Sequence, residues 1–181
     1  MKIENEKDVL FYEKQRFTQV WLWVIIIGVF TFMIGLLLFG LYKQIIEGEQ
    51  FGTKPMSDMG LVITTVLTVL MAGLISWLFY RVKLFTIVKN DGIYVRFYPF
   101  HGKFKSYKWE EIDKLFIRKY RPLLEYGGWG LRYGFEGGKA FNVSGDMGLQ
   151  VVSVSGKKIL IGTNKPSQLE EVLAELKQIK T

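Results

Sequence analysis

Basic and large apolar side chains are the residues of this chain whose types and spacing could support binding chemistry. Six of them are close together in the second half of the sequence, namely Arg118, Lys119, Arg121, Leu124, Tyr126 and Trp129. An apolar anchor with a basic rim suits an interface with a protein or with an anionic membrane surface. The sequence leaves a second interpretation open, in which the aromatic side chains of the loop Pro122–Leu131 fold back as a lid over the domain.

Further lysines extend this positive character, and the chain carries a formal net charge of +7. Lys103, Lys105 and Lys108 alternate along one predicted strand, and Lys157 and Lys158 follow a predicted turn. Each Lys or Arg close to an anionic leaflet contributes about 1 kcal/mol of attraction. The alternative is a solvated basic face without a ligand. No recognition motif indicates a nucleic-acid partner.

Catalytic or metal-binding chemistry finds little support in the residue types. The chain has no cysteine and a single histidine, His101, which lies beside a glycine in a predicted exposed turn. Metal sites need clustered ligands, and a lone histidine does not provide them. The glycine-rich stretch from Gly127 to Gly148 lacks the spacing of a phosphate-binding loop, and its glycines suit tight turns. We therefore expect no enzyme activity and no cofactor.

Two long uncharged apolar runs in the first half of the chain determine where the basic and aromatic residues of the second half are placed. They cover residues 19–42 and 59–80 and are joined by the short connector 43–58. A bilayer core about 30 Å thick needs about 20 apolar residues in a helix, and a backbone in lipid must satisfy its own hydrogen bonds. The runs predict a hairpin of two transmembrane helices, the first of them a retained anchor and not a cleaved signal peptide.

The positive residues next to the runs predict the orientation of this hairpin. Lys14 and Arg16 precede the first run, and Arg81 and Lys83 follow the second. Because cytoplasmic flanks are rich in Lys and Arg, both termini are expected in the cytoplasm and the connector outside, as in a multi-pass protein of the inner membrane. Residues 1–18 would form a cytoplasmic N-terminal segment, in which residues 8–18 are either an interfacial helix or an extension of the first span.

Residues 81–181 have the sequence pattern of a small β-rich domain. Short β-branched and aromatic runs alternate with turn signals such as Asn90-Asp91-Gly92 and Ser155-Gly156. They predict seven or so antiparallel strands, followed by an amphipathic helix from Pro166 to about Ile179 with Ser167 and Glu170 as a capping pair. Such a sheet would curl into a barrel closed by the helix at one end.

The paired spans followed by Tyr107-Lys108-Trp109-Glu110-Glu111-Ile112 resemble the membrane-anchored bacterial PH-domain proteins. The segments Glu125–Gly130, Asn142–Gly145 and Ile159–Thr163 are similar to short membrane proteins of this type. The resemblance implies a mainly antiparallel, PH-like barrel or sandwich capped by a C-terminal helix. It also implies a binding or scaffold role and brings no catalytic residues.

The sequence therefore predicts a membrane-anchored PH-like module that recognises a protein partner or an anionic lipid headgroup at the cytoplasmic face. The alternative is a structural subunit of a larger membrane complex, assembled through the spans. Association with further copies of the chain is left open.

Overall fold

Nine strands and four α-helices make up the described part of the chain. The structure is a computed structural model that describes residues 8–134, 138–177 and 179. The strands are Val9–Arg16 (β1), Lys83–Lys89 (β2), Gly92–Tyr98 (β3), Lys105–Lys108 (β4), Ile112–Lys119 (β5), Gly130–Tyr133 (β6), Lys139–Asn142 (β7), Met147–Ser153 (β8) and Lys158–Gly162 (β9). The helices are Val20–Leu41 (α1), Asp58–Arg81 (α2), Pro122–Tyr126 (α3) and Pro166–Glu175 (α4).

The two apolar helices belong to a compact unit formed by Thr18–Tyr80. At 1.5 Å per residue, the 22 residues of α1 and the 24 of α2 extend about 33 and 36 Å. Both helices are long and apolar enough to cross a membrane. The hydroxyls of Thr64, Thr65 and Thr68 each donate to a carbonyl oxygen four residues earlier at 2.8 Å. These polar groups are therefore satisfied within α2 itself.

The second compact unit contains the described residues up to Phe17 and those from Arg81 onward, so the helical unit is inserted into it. β1, which precedes α1, pairs antiparallel with β2, which follows α2, and Arg16 lies opposite Lys83. The prediction of a helix over residues 8–18 is wrong. Burial alternates along β1 with the two-residue period of a strand, burying Phe11, Glu13 and Gln15.

The described strands form two sheets, with the orders β1-β2-β3-β4 and β5-β8-β9-β7-β6. The prediction of a mainly antiparallel arrangement is confirmed, with the single parallel pair β7–β9, whereas neither described sheet closes on itself into a barrel. The β6–β7 hairpin lies between β5 and β8 in the sequence but pairs beyond β9 in space, which makes its second strand run alongside β9. The Asp91-Gly92 turn between β2 and β3 agrees with the sequence pattern.

β1 connects the two sheets through buried polar side chains. The Glu13 carboxylate accepts hydrogen bonds from the Thr163 hydroxyl at 2.7 Å and from the Asn164 backbone N–H at 2.8 Å. The Gln15 side chain donates from Nε2 to the Gly162 carbonyl oxygen at 2.7 Å. A buried carboxylate without such donors would carry a large desolvation cost, so these bonds fix the register between the sheets.

The C-terminal helix packs on this junction. α4 contacts β1, and its Leu169 and Leu173 are fully buried, as the apolar stripe predicted. The helix ends at Glu175, short of the predicted Ile179. Its N-cap is Lys165 and no side chain caps it, so the predicted capping role of Ser167 is wrong.

Candidate interaction surface

The six residues singled out from the sequence lie around α3, at the end of β5. Pro122 occupies the first turn, where its missing N–H costs nothing, and Gly127 ends the helix with a positive φ of 67°. The segment predicted as a loop is thus partly helical. The side chain of Glu125 fixes its start by accepting the Arg121 backbone N–H at 2.7 Å.

Arg118 and Glu125 form a half-buried ion pair with a Nη2–Oε2 distance of 2.7 Å. The hydrogen bond from Arg118 lowers the pKa of the Glu125 carboxyl, although burial opposes it, and the Arg121 N–H lowers it further. Burial alone would lower the pKa of Arg118, but the hydrogen bond and charge of Glu125 raise it on balance. Arg118 therefore serves first to hold α3 against β5.

Tyr126 is a core residue and not an exposed anchor. Its side chain is only 7% exposed and lies edge-on to Tyr120, with 6.1 Å between the ring centroids. Burial raises the pKa of Tyr120 to about 12, and its hydroxyl oxygen accepts a hydrogen bond from Asn142 Nδ2 at 3.1 Å. For Tyr126 the structure supports the second interpretation of the sequence, in which the aromatic side chain folds back onto the domain and does not face a partner.

The exposed apolar groups of α3 are two leucines. Leu123 is 65% exposed and Leu124 is 67% exposed, although both lie on a helix anchored at both ends. Trp129 is half-buried and donates from Nε1 to the Gly145 carbonyl oxygen at 3.1 Å. Lys119 is exposed and faces Asp146 at 3.1 Å. Of the predicted surface, Leu124 is the member that presents a large apolar area to a partner.

A groove of about 760 Å³ runs beside α3 along the outer face of β5 and β8. It is called the β5–β8 groove here, and its walls include Lys114, Phe116, Arg118, Leu124, Val152 and Lys158. Its volume lies in the range of ordinary ligand and peptide pockets, about 300–1,000 Å³. Glu125 also lines the groove and pairs with Arg118, so Lys114 and Lys158 provide the remaining positive charge beside the apolar walls, which favours an occupant with apolar and acidic side chains.

The remaining predicted basic residues separate into two groups. Lys105, Lys157 and Lys158 line a second pocket, together with Lys139, which the sequence pattern did not place among the basic candidates. Lys103 and Lys108 do not line it. Lys139 was missed because it follows a glycine pair that suggested a turn, and only the pairing of β7 with β9 brings it opposite Ile159, the residue after Lys158.

His101 is half-buried and bonded to the backbone. Its Nδ1 accepts a hydrogen bond from the Phe97 N–H at 3.2 Å, and its ring lies edge-on to Phe141 at 5.4 Å. Burial lowers the pKa of His101, and the positive charges of Lys105 and Lys139 lower it further. Within residues 8–134, 138–177 and 179, no three histidine or acidic side chains come together as metal ligands.

No protein-family model, curated protein or solved structure matches this chain.

Proposed function

We propose that this chain is a membrane-anchored, PH-like binding module held at the cytoplasmic face of the cell membrane. One observation carries the proposal: two helices of membrane-spanning length are inserted between paired strands of a two-sheet domain. A domain interrupted in this way is connected to the helices at two positions, after Arg16 and before Lys83, and these two residues are cross-strand partners. The order of two sheets and a final helix supports the PH-like part of the proposal.

Positive charge at the tether supports the cytoplasmic placement of both termini. Burial lowers the pKa of Lys83, and the neighbouring charges of Arg16, Lys14 and Arg81 lower it further. These four side chains therefore form one basic cluster, which suits an anionic leaflet. In the connector, by contrast, Lys43 is neutralised by Glu47 at 2.6 Å and Glu49 at 2.9 Å.

The partner that fits the exposed surface best is a protein segment with apolar and acidic side chains. Leu123 and Leu124 would supply the apolar contact area beside the β5–β8 groove, and Lys114 and Lys158 would supply charge complementarity. An anionic lipid is the competing ligand for the same surface. A structural role through the helices is the alternative function, favoured by the open space around Gly28 and Gly35 of α1.

The test compares proteins recovered with the full-length chain from detergent-solubilised membranes. Leu123→Ser combined with Leu124→Ser removes the exposed apolar area, and Val154→Ser is the control, because Val154 is 70% exposed in a distant turn. A partner recovered with wild type and control should fall about tenfold or more with the double variant, since two desolvated leucine contacts are lost.

Equal recovery with all three proteins would contradict binding through this surface. Partners that are instead lost with Gly28→Leu and Gly35→Leu would assign the chain to the alternative, assembly through α1.

A further inference from the structure

Four lysines from three separate stretches of the chain converge on one pocket. Lys105 belongs to β4, Lys139 to β7, and Lys157 and Lys158 lie at the start of β9. The pocket has a volume of about 530 Å³, and Tyr107 and Tyr133 complete its walls. We call it the lysine pocket. It is separate from the exposed leucines of α3 and shares only Lys158 with the β5–β8 groove.

Backbone geometry keeps these charges together. Gly138 has a φ of 104°, and a Cβ at this position would lie 2.8 Å from the Lys158 carbonyl oxygen. Only a glycine allows the beginnings of β7 and β9 to approach so closely, and this approach places Lys139 opposite Ile159, the residue that follows Lys158 in the chain. The parallel pairing of β7 with β9 fixes the backbone that carries Lys139 and Lys158, and the side chains of Lys105, Lys157 and Lys158 are exposed and so accessible to a ligand.

The positive charge of the pocket is not neutralised by carboxylates in the described part of the chain. None of the four lysines forms an ion pair there, and no described acidic residue lines the pocket. Lys139 Nζ lies 5.2 Å from the Tyr133 ring centroid, and Lys105 Nζ lies 5.8 Å from that of Phe141. Such cation–π contacts position an ammonium group but leave its charge available to an anion.

We propose that the lysine pocket binds a ligand that carries a phosphomonoester or pyrophosphate group. Lysine ammonium groups are compact charges that bind phosphate oxygens well, and several can share one multivalent anion. Tyr107 and Tyr133 would contact the body of the ligand through their rings and hydroxyls. The Tyr107 hydroxyl is protonated at neutral pH, as for any tyrosine with a pKa of about 10 or above, and burial raises the pKa of this one further, so the hydroxyl can donate.

The electrostatic environment of His101 supports an excess of positive charge at this place. Its pKa is lowered by burial first and then by Lys105 and Lys139, two of the four pocket lysines. A bound phosphate would offset those charges and raise the pKa of His101 towards its usual value. This is the only histidine of the chain, so its resonance reports occupancy without ambiguity.

The test is calorimetric titration of the full-length protein in detergent micelles with pyrophosphate. The pocket variant combines Lys105→Gln with Lys139→Gln, and the matched control combines Lys103→Gln with Lys108→Gln, which removes the same charge outside the pocket. Wild type and control should bind alike. The pocket variant should bind about tenfold more weakly or worse, because two charge-assisted contacts are lost. Lys157→Gln replaces the double variant if that protein does not fold.

A second titration distinguishes the source of the phosphate. Dihexanoyl phosphatidic acid presents a lipid phosphomonoester, and dihexanoyl phosphatidylglycerol presents only a phosphodiester. Pocket-dependent binding of phosphatidic acid over phosphatidylglycerol would indicate a lipid headgroup, and pocket-dependent binding of pyrophosphate alone would indicate a soluble ligand. The proposal is overturned if neither probe binds, or if pocket and control variants weaken binding equally. Partner recovery through Leu123 and Leu124 is independent of either result.

Discussion

His101 illustrates how a single side chain links the fold to the lysine pocket. Its Nδ1 accepts a hydrogen bond from the Phe97 N–H, which requires that this nitrogen is unprotonated. Burial lowers the pKa of His101, and the nearby charges of Lys105 and Lys139 lower it further. From the sequence this residue was interpreted as an exposed turn histidine. The structure gives it a place between β3 and β7 and makes it a reporter of local charge.

We predict that His101 titrates below 6.5 in the folded protein and that Lys105→Gln moves its pKa upward. Because the unfolded chain titrates near 6.5, it binds protons more readily than the folded chain as the pH falls through this value. His101 therefore lowers the free energy of unfolding as the pH falls below about 6.5 and has no effect on it well above that pH. Titration of the full-length protein with ¹³C-labelled histidine by NMR measures the pKa directly. A pKa at or above 6.5 would contradict the described environment.

Among the secondary-structure elements, β1 is the one that joins the first sheet, the second sheet and α4. It lies at the edge of the first sheet, contacts α4 and holds the second sheet through Glu13 and Gln15. A domain that began after α2 would lack all three connections. The complete domain therefore requires the polypeptide on both sides of the apolar helices.

Replacing Glu13 by Ala should destabilise the domain by about 1–3 kcal/mol, because the Thr163 hydroxyl and the Asn164 N–H lose their buried acceptor. Tyr12→Ser on the opposite, exposed face of β1 is the control and should change stability by no more than about 0.5 kcal/mol. Urea unfolding of the full-length protein in micelles, followed by near-ultraviolet circular dichroism, measures both. Equal effects would mean that β1 does not join the sheets.

The elements that could be predicted from the sequence are those with local signals. Both apolar helices, the Asp91-Gly92 hairpin, strand β9 and the buried stripe of α4 follow from composition, turn chemistry or periodicity. β1 could not be predicted, because its inward positions include Glu13 and Gln15 and hide the apolar alternation. The partner of Glu13 is 150 residues away, and only the folded chain brings the two together.

The same limit applies to the sites. Arg118, Glu125 and Tyr126 are neighbours in sequence, so a cluster there was predictable. Its structural role, in which Arg118 of β5 binds Glu125 and Tyr126 of α3, was not. The lysine pocket was only partly predictable, because Lys105 lies on the first sheet and Lys139 and Lys158 lie on two strands of the second, and no local sequence pattern predicts that these strands meet.

The whole molecule is a two-sheet domain whose first two strands are separated by two helices long and apolar enough to cross a membrane. Arg16 and Lys83 are cross-strand partners, so the chain enters and leaves the hairpin side by side. If the two helices span a membrane as proposed, both ends of the hairpin lie on one side of it, and the basic cluster of Lys14, Arg16, Arg81 and Lys83 favours the cytoplasmic side.

Cysteine accessibility in intact cells tests this claim most directly, because the natural chain has no cysteine of its own. Thr53→Cys places a thiol in the exposed connector, and Ser155→Cys places one in the exposed turn between β8 and β9. With both termini in the cytoplasm, we expect an impermeant maleimide to label Thr53→Cys in intact cells and to label Ser155→Cys only after permeabilisation. Labelling of Ser155→Cys in intact cells, or protection of Thr53→Cys until permeabilisation, would contradict it.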